Sequence, residues 1–163
     1  MNTPDFTHLD AKGAATMVHV GDKRVTARRA VAAGFVACSA ALIERIRRNN
    51  LIKGNLLQIA QLAGIQGAKR TDELIPLCHS LPLDAVRVEL TVEDRGIAIR
   101  AEASATWKTG VEMEALTAVA VAALTVIDMG KAIDKAMVIE NIRLLEKTGG
   151  RSGDYRAPGE GKP

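Results

Sequence analysis

The stretch that most restricts the fold runs from Thr109 to Lys135, TGVEMEALTAVAVAALTVIDMGKAIDK. Between Ala115 and Ile127 it carries no charge and only two hydroxyls, Thr117 and Thr125. Alanine and leucine favour helix, and a helix apolar all the way round calls for burial on every side. The uncharged run falls far short of the ~20 apolar residues that span a bilayer, so a core helix is expected rather than a membrane span. Charges gather only at the ends. Glu112 and Glu114 stand in the first turn, where the helix dipole favours anions. Asp128, Lys131 and Lys135 recur at i, i+3 and i+7 and share one face.

Read locally, Asp128 and Lys131 make an ordinary solvated ion pair at a helix end. Geometry adds a constraint. At ~1.5 Å rise per residue, Glu112 and Asp128 would stand roughly 24 Å apart on an unbroken helix. If both serve one small reacting centre, either the helix breaks or a second copy of the chain completes the site.

A chain of 163 residues with 47% hydrophobic content is expected to build a single core, over residues 15–148, between an N-terminal arm (1–14) and a glycine-rich tail (149–163). Aromatic residues make up only 2%, which argues against stacking platforms for nucleic acid. A net charge of +3 is too small to imply DNA, yet suits a polyanionic small ligand. Two cysteines, Cys38 and Cys78, make no disulfide framework, and the first thirty residues lack a signal-peptide pattern. A reducing, cytoplasmic setting is the expectation.

Thr16–Val20 and Val25–Val36 read as strands, and Arg24, Arg28 and Arg29 give the second a positive flank. Such cations either protect a sheet edge or hold an anion. Ser39 is placed to cap a helix over Ala40–Arg48, with Leu42, Ile43 and Ile46 inward. A second helix, about Asn55 to Lys69, carries Leu56, Ile59, Ala60 and Ala63 on one side. Lys53 precedes it beside Gly54, where a lysine can join the helix end in holding an anion.

The segment LIPLCHSLPL, Leu74–Leu83, is fixed as an irregular loop by Pro76 and Pro82. An apolar loop holding Cys78 and His79 is unusual, since loops are normally polar. A buried histidine satisfied by backbone and a cysteine acting as a small hydrophobe are the plain readings. Their adjacency is poor metal-ligand spacing. Ala85–Val92 and Ile97–Ala105 alternate on either side of Asp94-Arg95-Gly96, an antiparallel hairpin with one covered face. After the long helix, Ala136–Lys147 reads as a last strand. Gly149–Gly153, between Lys147 and Arg151 in the tail, is either disordered or a phosphate-gripping flap.

LIPLCHSL followed by KTGVEMEALTAVAVAALTVIDMGKAIDK resembles the molybdenum cofactor biosynthesis protein C family, the cyclic pyranopterin monophosphate synthases. The likeness runs from about Met17 to Tyr155 and takes in Lys53-Gly54, AGIQGAK at Ala63–Lys69, and IRLLEKTGGRSGDY near the end. It departs at Ser80 (proline is usual), Asn55 and His19 (aspartate is common) and Gly130 (cysteine is frequent), none of them a charged group matched to catalysis.

The resemblance implies an α+β, ferredoxin-like fold: an antiparallel sheet covered by helices, one of them long, buried and alanine-rich. It implies a homo-hexamer, a trimer of dimers, with sites shared between subunits. The implied lyase reaction converts 3′,8-cyclised 7,8-dihydro-GTP to cyclic pyranopterin monophosphate and pyrophosphate. No nucleic-acid or membrane partner and no redox cofactor or resident metal is implied, although Mg²⁺ can accompany the triphosphate. Implied catalytic residues are Asp128, Lys131 and Lys53. Implied substrate contacts are Leu77, Cys78, His79, Glu112, Met113 and Glu114, with Arg28, Lys69, Lys147 and Arg151 toward the phosphates. Opening one ring, closing another and forming a cyclic phosphate each move protons on poor leaving groups, so an acid and a base must act in turn.

Two rivals keep some of these features. A non-catalytic nucleotide-binding oligomer would keep Lys53 and the basic tail but needs no buried Asp128–Lys131 pair. A cysteine hydrolase would need Cys78 and His79 to meet, which neighbours on an extended segment do not.

Overall fold

The computed structural model describes residues 8–9, 12–48 and 55–159. Strand β1 is Thr26–Ala37, followed by helices α1 (Ala40–Arg47), α2 (Leu56–Ala68) and the single turn α3 (Thr71–Leu74). The hairpin β2 (Ala85–Val92) and β3 (Gly96–Trp107) leads into α4 (Glu112–Gly130), then β4 (Val138–Thr148) and the short β5 (Tyr155–Arg156). The five strands form one antiparallel sheet in the order β2-β3-β1-β4-β5. The class is α+β. Without β5, and with α1–α3 counted as one crossover, the element order is the β-α-β-β-α-β of the split βαβ motif.

The predicted cap is present: Ser39 Oγ accepts from Leu42 N at 3.4 Å. Asn55, expected to begin α2, instead caps it, its Oδ1 accepting from Gln58 N at 3.2 Å. Helices α2 and α4 cover one sheet face, where alternation turns Ala30, Ala32, Val36, Ile97, Ile99 and Ala101 inward. Small residues on both layers permit close approach. A Cβ on Gly34 would lie 2.7 Å from Val119 Cγ1, and one on Gly64 2.8 Å from the Ala118 carbonyl oxygen. Asparagine 141 takes a positive φ of 55° where β4 slips register against Ala33 and Phe35.

Several expectations need correction. Thr16–Val20 is not a strand: the sheet edges are β2 and β5, so among the described residues this segment has no partner strand and lies as an irregular arm. Ile59 is 41% exposed rather than inward; Leu56, Ala60 and Gly64 form the buried stripe of α2. Helix α4 starts at Glu112 and ends at Gly130, inside the predicted limits. By length and composition it is apolar enough to cross a membrane, but it packs against α2, β1, β3 and β4 as a core helix. Nor is it buried all round, because Leu124 is 59% exposed, and Leu62 on the adjoining α2 is 65% exposed.

The turn after α4 is tied to α1 by one carboxylate. Asp134 is buried, and it accepts hydrogen bonds from Ser39 N at 2.6 Å and Ala136 N at 2.9 Å. Those bonds, the Ser39 one foremost, hold its pKa below the usual aspartate value. Asp134→Ala is therefore expected to cost about 1–2 kcal/mol at neutral pH. A depressed pKa stabilises above the unfolded value and ceases to do so as pH falls through the folded one. Urea unfolding at neutral and acidic pH should show the deficit shrinking with acid.

Candidate functional site

Three segments distant in sequence converge at the N-terminus of α4. The turn Lys108-Thr109-Gly110 carries the chain off β3, and α4 begins after Val111 without a side-chain cap. Its first-turn N–H groups are thus left facing the loops around them. The 75–84 loop brings Leu77, Cys78 and His79 against this end. The Gly149–Gly153 turn covers it from the β4 side.

Two adjoining cavities result. One, of about 660 Å³, is lined by the cations Lys23, Arg24, Arg28, Lys108, Lys147 and Arg151 against two carboxylates, Asp22 and Glu112. The other, of about 370 Å³, is lined by Leu77, Cys78, His79, Met113 and Glu114. They share Lys23, Thr109, Gly110, Glu112 and Ser152, so they form one cleft with a cationic end and a mixed end. A larger hollow, about 1010 Å³, lies by Phe35 and Arg95. Its charges neutralise one another, as in Arg47–Asp94 at 2.9 Å and Arg95–Glu140 at 3.5 Å, and it offers no unbalanced field to a ligand.

At the cationic end, Arg28 Nε is buried without a hydrogen-bond partner among the described residues. The glycine turn lies directly on this guanidinium: a Cβ on Gly150 would sit 1.9 Å from Arg28 Nη1. Gly149 and Gly150 have φ of +87° and +86°, the left-handed region glycine favours, so bare backbone at this spot follows from both space and conformation. Lys147 Nζ donates to Ser152 Oγ, and Lys108 Nζ donates to the Gly21 carbonyl at 2.6 Å. Beta alternation separates neighbours: Arg29 instead pairs with Glu102 at 2.6 Å and Glu146 at 3.1 Å, outside the cleft.

At the mixed end, Glu114 is only 4% exposed, and its pKa is pushed up to about 7. Burial is the main cause, with the charges of Glu112 and Asp72 adding to it. A carboxyl poised there can both accept and donate a proton near neutrality. His79 Nε2 lies 2.8 Å from the Val18 carbonyl oxygen and donates to it, which leaves Nδ1 as the acceptor of the neutral ring. Burial, aided by Glu114 and Asp72, raises the Cys78 thiol above its ordinary pKa. It therefore sits as a thiol at neutral pH, a poor nucleophile.

The cleft thus gathers Arg28, Leu77, Cys78, His79, Glu112, Met113, Glu114, Lys147 and Arg151. It does not gather the rest. Lys69 is the exposed C-cap residue of α2 and lines neither cavity. Asp128 and Lys131 lie at the opposite end of α4, in contact at 2.6 Å but 63% and 59% exposed. The expected burial of that pair is absent within one chain, because α4 runs unbroken between it and the cleft. Lys53 lies outside the described residues. Lys23 and Lys108 were missed: Lys108 opens the quoted KTGVEME motif, whereas only folding brings Lys23 to the site. Among the described residues no group of three or more His, Cys, Asp or Glu is arranged to hold a metal ion.

The MoaC family model matches residues 17–150. Cyclic pyranopterin monophosphate synthase from Nostoc sp. is 54% identical over 159 residues, covering 96% of this chain and 95% of the relative. The proteins of the same name from Streptomyces avermitilis and Novosphingobium aromaticivorans are 55% and 54% identical, covering 92% and 94% of this chain and 88% and 98% of theirs.

Proposed function

The chain belongs to the MoaC family, and from that membership we propose that it is a cyclic pyranopterin monophosphate synthase acting in molybdenum cofactor biosynthesis. The observation that carries this reading is the two-ended cleft at the N-terminus of α4. Its cationic end suits the phosphates of 3′,8-cyclised 7,8-dihydro-GTP, and the end with Glu114 and His79 suits the guanine-derived edge. Arg28, Lys147 and Arg151 hold the phosphates and offset the charge that develops as pyrophosphate leaves. His79 Nδ1 and the Glu114 carboxylate accept from N–H groups of the bicycle. Leu77, Cys78 and Met113 form its apolar rim. Hydrolytic ring opening consumes a water, pyrazine closure returns one, and the cyclic phosphate forms as pyrophosphate departs.

Asp128, Lys131 and Lys53 supply the acid–base steps in this reading. Since α4 separates the first two from the cleft of their own chain, they serve the cleft of a second copy. Leu62 and Leu124, open on the helical layer, give such a copy an apolar surface to cover. The assembly is a homo-oligomer, a hexamer of three dimers, working in the cytoplasm. Lys69 reaches a phosphate only from this assembled arrangement. No redox cofactor takes part, and Mg²⁺ enters, if at all, with the triphosphate.

Incubation of the full chain with the cyclised dihydro-GTP should release one pyrophosphate per cyclic pyranopterin monophosphate formed. Substrate turnover without pyrophosphate, or no turnover by a folded oligomer, would overturn the assignment.

A further inference from the structure

We propose that Glu112 is a displaceable counter-ion that keeps the phosphate end of the cleft from holding pyrophosphate tightly. This rests on the reading of the cationic cavity as the seat of the substrate phosphates. Glu112 is common to both cavities, at the junction where the phosphates would meet the bicycle. Its carboxylate lies in the space left by Gly110, where a Cβ would fall 1.8 Å from Oε2. From there Oε1 stands 3.9 Å from Lys147 Nζ, within ion-pair range but too far for a hydrogen bond. One Lys147 N–H donates to Ser152 Oγ instead.

The cations are therefore only partly satisfied. Arg28 Nε has no partner among the described residues, and Lys147 sees its carboxylate at long range. An incoming phosphate can take both without first breaking a tight pair. Once seated, it draws Lys147 away from Glu112 and feels the like charge of the half-buried carboxylate it has displaced. Repulsion of this kind weakens every anion at the site, but it matters most for the product that has lost its covalent link to the bicycle. Glu112 acts as a positioning residue that trades phosphate affinity for release.

The test is pyrophosphate binding to the intact oligomer by calorimetry, with product inhibition of turnover in parallel. Glu112→Gln keeps the shape and removes the charge. It should bind pyrophosphate about tenfold tighter at about 0.1 M salt, with the gain shrinking toward about 1 M. Its inhibition constant for pyrophosphate should fall in step. Equal or weaker binding by Glu112→Gln overturns the proposal, as does a gain that survives high salt. Glu112→Ala should match the Gln variant, which guards against a defect peculiar to the amide. Arg28→Ala separates the two readings. If it binds pyrophosphate as the unaltered protein does, the cavity is not the phosphate site. If it loses binding while Glu112→Gln gains none, only the counter-ion role falls.

Discussion

Lys131→Ala is expected to lower turnover by roughly 10³-fold, within the 10²–10⁴ usual for a general acid or base, without unfolding the protein. Lys131 is the C-cap residue of α4, and its pair with Asp128 is more than half exposed at both partners. Exposed pairs contribute only about 0–1 kcal/mol, so urea unfolding should shift little. The same placement yields a sharper outcome. A chain carrying Lys131→Ala keeps an intact cleft, and a chain carrying Arg28→Ala keeps an intact Asp128–Lys131 pair. Mixing the two inactive proteins and allowing subunits to exchange should restore activity. Random pairing in dimers leaves about a quarter of the sites whole. If mixed oligomers form and remain inactive, sites are not shared across the interface.

Glu114→Gln has the second largest expected effect, and it pulls stability and activity apart. The folded pKa of about 7 exceeds the ordinary glutamate value of 4.5, chiefly through burial. A raised pKa means the native state binds more protons than the unfolded chain between those values. Stability is then fully present below the unfolded pKa and is lost as pH rises through the folded one. The loss amounts to about 3 kcal/mol and levels off above neutrality. Replacing the carboxyl with an amide removes that slope, so the variant should be the more stable protein at pH 8 and nearly equal at pH 4. Its activity should fall about 10²-fold, because the amide sets an N–H donor against the substrate N–H groups and leaves buried polar groups unpaired. The unaltered protein should bind substrate more tightly as pH rises through 7, because the ionised carboxylate offers both oxygens as charged acceptors to the substrate N–H groups, whereas the protonated form turns an O–H donor toward them. A flat binding profile across that range would contradict the assigned role.

Much of the fold follows from local patterns. Ser39 signals a helix start because a short polar side chain can meet the orphan N–H groups there. The β2–β3 hairpin is visible because alternation and Asp94-Arg95-Gly96 agree. The misread Thr16–Val20 shows the limit of alternation: five extended residues make a strand only beside another, and that neighbour is decided elsewhere in the chain. β5 was missed for the converse reason, since two residues carry no period and pair only because β4 lies alongside.

The candidate site was less legible. The apolar loop holding Cys78 and His79 and the acidic start of α4 stood out by composition, but their role as substrate contacts came only from the family resemblance. No pattern along the chain links Lys23 to Lys147, yet both line the cationic cavity. Arg28 and Arg29 look equivalent in sequence. One carries an Nε in the cleft with no partner among the described residues, and the other is neutralised by Glu102 and Glu146.

By itself the sequence determined the elements, the alanine-rich packing between sheet and helices, and the separation of Glu112 from Asp128 on one helix. Periodicity and rise per residue act within a few turns and need no partner. Tertiary structure alone decided that six cations share a cavity, that Glu114 is buried enough to titrate near neutrality, and that Leu124 stays open. Those properties depend on which distant segments exclude water from a given side chain, and strand pairing over the length of the chain sets that.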